Sequence, residues 1–150
     1  MMFNITQKTS LAEIDSYIRR KIEEKEIAIV SALSYVGEQC VNEARDNGRY
    51  INRTGNLRSS VGYVIAKNGF VVSGGGFTQV AQGSQGSGEG KRFIDELVAK
   101  QKKGIYLIVV AGMKYSAYVE AKNLNVLSSA ELLAESLVPS ILKKLGFVKR

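Results

Sequence analysis

Histidine and tryptophan are absent from this chain, and cysteine and proline occur once each, at Cys40 and Pro139. The lack of histidine excludes Ser-His-Asp and Cys-His catalysis and every His-ligated metal site. A single cysteine excludes an intramolecular disulfide, so the chain is not a stapled secreted domain. Cys40 falls on the apolar side of a predicted helix and reads as a small buried hydrophobe, not a reactive thiol. Long apolar runs are also missing. The stretch Ile105–Met113 is too short to cross a bilayer, which takes about 20 apolar residues, so no membrane partner is expected. Met1 to Leu11 lacks the apolar core of a signal peptide, and no export is expected.

What remains is ordinary for a folded protein. The 150 residues are 45% hydrophobic and 23% charged, which predicts a single domain over 1–150 well away from the disordered regime. Lys and Arg number 21 against 14 Asp and Glu, a net charge of +7. That balance admits contact with nucleic acid or an acidic protein surface and does not bear on the fold. The basic residues are spread out, with Arg45, Arg49, Arg53 and Arg58 in one stretch, Lys91 to Lys103 in a second and Lys143 to Arg150 in a third.

From Leu11 the apolar positions Ile14, Ile18, Ile22, Ile29, Leu33, Val36 and Cys40 recur mostly at three- and four-residue spacing, one face of a long helix. Ser10 with Glu13 forms a capping box at its start, and Asp46-Asn47-Gly48 supplies the stop. Thr54-Gly55-Asn56 reads as a turn launching a strand from Leu57, whose alternation through Ile65 predicts one buried face. Asn68-Gly69 is a strong hairpin turn leading into Phe70-Val-Val-Ser73. The run 74–90, rich in Gly, Ser and Gln, predicts a long flexible loop. Lys91 to Lys103 reads as a short helix ended by Gly104, and Ile105 to Ala111 as a strand buried on both faces. Periodicity leaves Tyr115 to Glu120 open between a strand and a helical turn. Ser128 with Glu131 reads as a second capping box, opening a helix that Pro139 should kink or split and Gly146 should end. The predicted class is α+β, a mostly antiparallel sheet with a long N-terminal helix, a short central helix and a C-terminal helix.

Chemistry-bearing motifs are few. Gly86 to Arg92 invites comparison with a phosphate-binding loop but has Gln85 where a glycine is needed and Arg92 where Ser or Thr is needed. Most carboxylates fall on exposed helix faces or caps. Glu120 is the exception, because it follows an apolar stretch and is expected to be partly buried, paired with Lys114, Lys122 or an arginine. Tyr50, Arg53, Arg58 and Tyr63 offer a weak version of a base-stacking surface, and Tyr63 reads more simply as core or cross-strand packing. No catalytic set and no cofactor are expected.

Two stretches carry a resemblance. Arg53-Thr-Gly-Asn-Leu-Arg-Ser-Ser-Val61 and Ala111-Gly-Met-Lys-Tyr-Ser-Ala-Tyr-Val-Glu-Ala121 resemble the hallmarks of the tailed-phage tail-completion or head-tail joining family, also described as minor capsid or tail components. The matching positions are Thr54, Gly55, Leu57 and Ser60 in the first stretch, and Gly112, Tyr115, Tyr118, Val119 and Glu120 in the second. Their order and the flanking long helices match as well. Ser116 departs from the family's common Ala, and Ala121 to Leu127 departs from its glycine and proline-aromatic approach to the last helix.

The resemblance implies a non-enzymatic virion protein at the neck or tail, held in the host cytoplasm before assembly. It implies a ring of copies, commonly six, docked on the connector or head-closure protein or capping the tail tube, with DNA passing through the lumen. Within that expectation the 74–90 loop is the candidate assembly element, through Gly74, Gly75, Gly76, Phe77, Gln79, Gln82 and Gln85, by addition to a neighbouring sheet. The alternative is a small basic nucleic-acid-binding protein, on the strength of the charge and of the arginines around Thr54.

Overall fold

The computed structural model describes residues 1–147. Its first helix, α1 (Leu11–Asp46), starts at the reciprocal pair expected: the Ser10 hydroxyl accepts the Glu13 N–H at 3.2 Å and the Glu13 carboxylate accepts the Ser10 N–H at 2.8 Å. At 36 residues it is about 54 Å long. Its apolar stripe does not behave as one buried face. Leu33, Val36 and Cys40 are buried, whereas Leu11, Ile14, Ile18 and Ile22 are 39–76% exposed. The remaining elements cover only the C-terminal half of the helix.

The chain next forms α2 (Asn56–Ser59), a single helical turn where a strand from Leu57 was expected. Gly55, at φ 78, reverses the chain, and the Thr54 hydroxyl accepts the Asn56 N–H, so the segment coils before it extends. Helical spacing then buries Leu57. The strand β1 (Val61–Lys67) begins only after Ser60 and pairs with β2 (Phe70–Gly76) through a hairpin whose turn residues Asn68 and Gly69 have φ 52 and 86. This is the positive-φ turn read from Asn-Gly. The turn is tied to the next strand, since the Asn68 N–H donates to Gly104 O and the Gly104 N–H to Asn68 Oδ1, both at 2.9 Å.

Among the described residues the sheet has three strands in the order β2-β1-β3, all antiparallel, with β3 (Ile105–Ala111) on the far side of β1. The fold is α+β. Which strand is central differs from expectation. β1, predicted to bury one face, is buried from Val61 to Ala66 on both, and β3, predicted to be fully enclosed, is an edge strand that is enclosed only at Val110 and Ala111. Val61, Tyr63 and Ile65 face α1, while Val64 and Ala66 pack with Ile94 and Val98 of α3 (Ser84–Ala99) on the other face.

α3 also corrects the reading of 74–90 as a long loop and of the helix as 91–103. Residues 74–76 complete β2, and helix begins at Ser84 and ends at Ala99. Gly86 and Gly90 are buried in this helix because side chains there would collide with the backbone of Asn56 and with Ser60 O and the Phe77 ring. Low side-chain bulk serves close packing here, not flexibility.

The last two helices are α4 (Ser116–Ala121), which settles the open Tyr115–Glu120 segment as helix, and α5 (Ser128–Lys144). Pro139 does not split α5. Gly146, at φ 89, ends it as expected: its N–H donates to Lys143 O and that of Phe147 to Leu142 O, the paired bonds of a Schellman motif.

Packing is close where Tyr63 lies on α1. A Cβ at Gly37 would overlap its ring, and its hydroxyl donates to Glu38 Oε1 at 3.0 Å. Gly37→Ala is expected to lower unfolding free energy by about 1–3 kcal/mol through overpacking. Urea denaturation measures it, and an unchanged midpoint would mean that the Tyr63 ring is free to leave α1.

Candidate functional site

The two family-like stretches and the glycine-rich segment, distant in sequence, meet at one end of the sheet. Gly55 lies against Val80, so close to Val80 O that any side chain would strike it. The Ser59 hydroxyl accepts the Val80 N–H at 2.7 Å, and Asn56 Oδ1 accepts the Gly86 N–H at 3.1 Å. Ser60 Oγ donates to Leu57 O at 2.7 Å, and Ser60 O accepts the Gly112 N–H at 3.1 Å. Gly112 in turn faces Gly90 backbone to backbone. Ser59 and Ser60 are fully buried, and these bonds satisfy hydroxyls that would otherwise be costly to enclose.

The expected assembly residues divide accordingly. Gly74 and Gly75 are β2 residues lying against Tyr63 and Val64, with Gly75 also close to the Glu38 carboxylate. Phe77 is buried in a slot that Gly62 and Gly90 leave open. Gly76, at φ 81, makes the turn into it. Gln79, Gln82 and Gln85 are exposed. The 74–90 segment is thus built into the fold, and its removal would take away the end of β2 and the start of α3.

The family-like positions divide too. Gly55, Leu57 and Ser60 are buried and Thr54 is exposed. Val119 is half-buried, whereas Tyr115 and Tyr118 stand out from α4, with the Lys122 ammonium 4.6 Å from the Tyr118 ring centre.

Glu120 has a structural task different from the expected pairing with Lys114, Lys122 or an arginine. Its carboxylate accepts the N–H groups of Val126 at 2.9 Å and Leu127 at 2.6 Å and the Ser128 hydroxyl. The Ser128–Glu131 capping box does not form, because Ser128 is the first residue of α5 and not its cap. Asn125 Oδ1 accepts the Ser129 N–H at 3.0 Å, and Glu120 binds the donors just before the helix. Burial alone would raise the Glu120 pKa. The Ser128 hydroxyl and the N–H groups of Leu127, Val126 and Ser128 outweigh it and hold the carboxyl below its usual range.

The arginine cluster is only partly available to a partner. Arg45 donates to Arg58 O, Val61 O and Thr78 O, and burial lowers its pKa although Glu38, Tyr50 and Asp46 oppose that shift. Arg58 lies over the Tyr50 ring at 5.7 Å. Arg49 and Arg53 are exposed. Burial, followed by the Glu38 carboxylate, pushes the Tyr63 phenol up to about 12, so it stays a neutral donor. Burial also raises the Cys40 thiol, in keeping with a buried hydrophobe.

Sequence reasoning missed the exposed apolar surfaces. Phe70, Val71 and Val72 are exposed on β2, whose outer edge has no paired strand among the described residues. Leu11, Ile14, Ile18 and Ile22 project on α1. The available signal was length, since the stripe on α1 runs further than the rest of the chain can cover.

Comparison with known proteins finds no matching family model, no matching curated protein and no matching solved structure.

The folded pKa of Glu120 lies below its unfolded value, so its stabilisation is fully present above the unfolded pKa and is lost as pH falls through the folded one. Glu120→Gln is therefore expected to cost about 1–2 kcal/mol near neutral pH, as a lost cap does. It should also flatten the acid limb of stability below about pH 5. Thermal unfolding followed by circular dichroism across that range reads both effects. A variant with the wild-type acid limb would show that the carboxylate is not the cap.

Proposed function

We propose that this chain is a structural subunit of a tailed-phage virion that assembles as a ring at the neck or tail. The observation that carries the assembly part is the exposure of large apolar side chains on two separate surfaces, the free edge of β2 and the projecting half of α1. Contiguous exposed apolar surface on a small folded protein marks a contact with another macromolecule, and an uncovered apolar strand edge is a ready template for association. The placement in a phage rests on the resemblance of Arg53 to Val61 and Ala111 to Ala121 to tail-completion and head-tail joining proteins. The convergence of both stretches on one junction supports treating them as a single structural signature. On this reading Gly55, Leu57, Ser60 and Glu120 build the subunit, and exposed residues such as Tyr115 and Tyr118 face neighbours, whether a second copy, the connector or the tail tube.

Sedimentation equilibrium and negative-stain electron microscopy of the purified protein test the reading. Closed rings with a mass near six times 16.4 kDa are expected. A monomer that forms no rings at any concentration, and that binds duplex DNA with steep salt dependence, would instead favour the nucleic-acid-binding alternative.

A further inference from the structure

The stripe on α1 is a single seam. From Leu11 to Ala44 its positions repeat at spacings of three, four and four residues, with Lys25 the one polar member. That 11-residue repeat gives about 3.67 residues per turn, close enough to the helix's own 3.6 to keep the seam on one side of a nearly straight helix. From Ile29 onward the seam packs against the sheet and α5. The Lys25 ammonium donates to Leu145 O at 2.8 Å, where α5 ends, and the turns from Leu11 to Ile22 continue beyond that point with their apolar side chains in solvent.

The same subunit has a groove of matching character. α5 lies along α1 but stands off from β3, and two adjoining hollows of about 280 and 880 Å³ separate them. The floor is the covered part of the same seam, half-buried Ile29 with buried Leu33 and Cys40; Leu107 forms one wall, and Ala134 and Val138 the other. The charged residues lining it are Glu131 and Glu135, both acidic.

We propose that the projecting half of α1 of one copy seats in the groove between β3 and α5 of the next, joining subunits head to tail. This inference rests on the ring reading and names the contact that would close the ring. A second copy is the occupant that the apolar character and the dimensions fit. Arg19 and Lys21 flank the stripe and can reach the acidic groove, each already ion-paired on its own helix, to Asp15 and to Glu24, both at 3.0 Å. The ridge from Leu11 to Ile22 is about 17 Å long, and α5 from Ala130 to Leu142 about 18 Å. The contact also continues an interface already present, because the seam packs against α5 within the subunit and would pack beside α5 of a neighbour. A subunit cannot fill its own groove, since ridge and floor lie on one unbroken helix. Two different surfaces of one chain, each fitting the other, make a heterologous contact, the type that generates rings.

The test uses sedimentation velocity on the full chain with variants at exposed positions, each checked for wild-type circular dichroism and melting. Ile18→Asp breaks the ridge and leaves the groove intact. The double variant Glu135→Arg, Phe147→Asp reverses the charge and places a carboxylate at the mouth of the groove, leaving the ridge intact. Each alone should be monomeric, with self-association weakened at least about 100-fold, because an unpaired charge must enter an apolar contact. Mixed together they should form a dimer and nothing larger, since the pair retains one good ridge and one good groove. Rings that persist in Ile18→Asp would overturn the inference and leave the ring reading standing. A groove variant that assembles like wild type would overturn it as well, by showing that ridges pair with one another. Open head-to-tail chains lost in Ile18→Asp would uphold the contact and overturn the ring, and a wild type that stays monomeric would overturn both.

Discussion

β1 is the strand on which the other elements lean. It has a hydrogen-bonded neighbour on each side, α1 across one face and α3 across the other, and six consecutive residues from Val61 to Ala66 are buried. Enclosure on four sides leaves little room for opposing side chains, so at several close approaches one partner is glycine. Gly37 makes room for the Tyr63 ring, and Gly62 and Gly90 make room for Phe77. These glycines answer a packing demand that originates in β1. Their neighbours are correspondingly intolerant, because a close-packed interior does not absorb an added methyl without moving something else.

That demand explains which parts of the fold were legible in the sequence. Local chemistry reads well: Ser10 with Glu13, Asn68-Gly69 and Gly146 determine their own geometry through bonds to residues within a few positions. The segment 74–90 reads badly because its glycines are chosen by distant partners. Gly86 meets Asn56, and Gly90 meets Ser60, and nothing nearby in the chain distinguishes a glycine required by contact from one that loosens a loop. The strand at Leu57 fails for a related reason. Its alternation is genuine from Val61 on, but Gly55 and the contacts to Val80 and Gly86 coil the preceding residues first. Composition likewise could not rank the strands. A continuous apolar run suits β3, whose two faces meet different helices, yet sheet order alone decides that β1 is the enclosed one.

Side-chain to backbone bonds join these pieces where secondary structure cannot. Ser59 and Arg45 hold the turn before β1 to the chain that leaves β2, and the Ser60 hydroxyl closes that turn on Leu57 O. Glu120 performs the corresponding task between α4 and α5. As a residue of α4 it satisfies donors that precede α5, so the entry angle of α5 is fixed by a carboxylate outside that helix. The candidate residues of the second family-like stretch therefore act at two levels. Glu120 positions α5 along α1, while Tyr118 on the same short helix and Tyr115 at its N-cap are left facing outward.

The positioning of α5 has a consequence for the chain as a whole. Because α5 follows α1 and not β3, it covers the seam of α1 over the length of the sheet and leaves a hollow beside the β3 strand. A helix of about 54 Å exceeds what a sheet of three seven-residue strands can shield. The seam nevertheless keeps its spacing out to Leu11, well past the last element that covers it. Solubility of the isolated chain would favour polar residues at Ile14, Ile18 and Ile22, and core packing places no demand on them. On the proposed head-to-tail contact, that persistence is accounted for, because the register that core packing does not use is the one a neighbouring copy would cover.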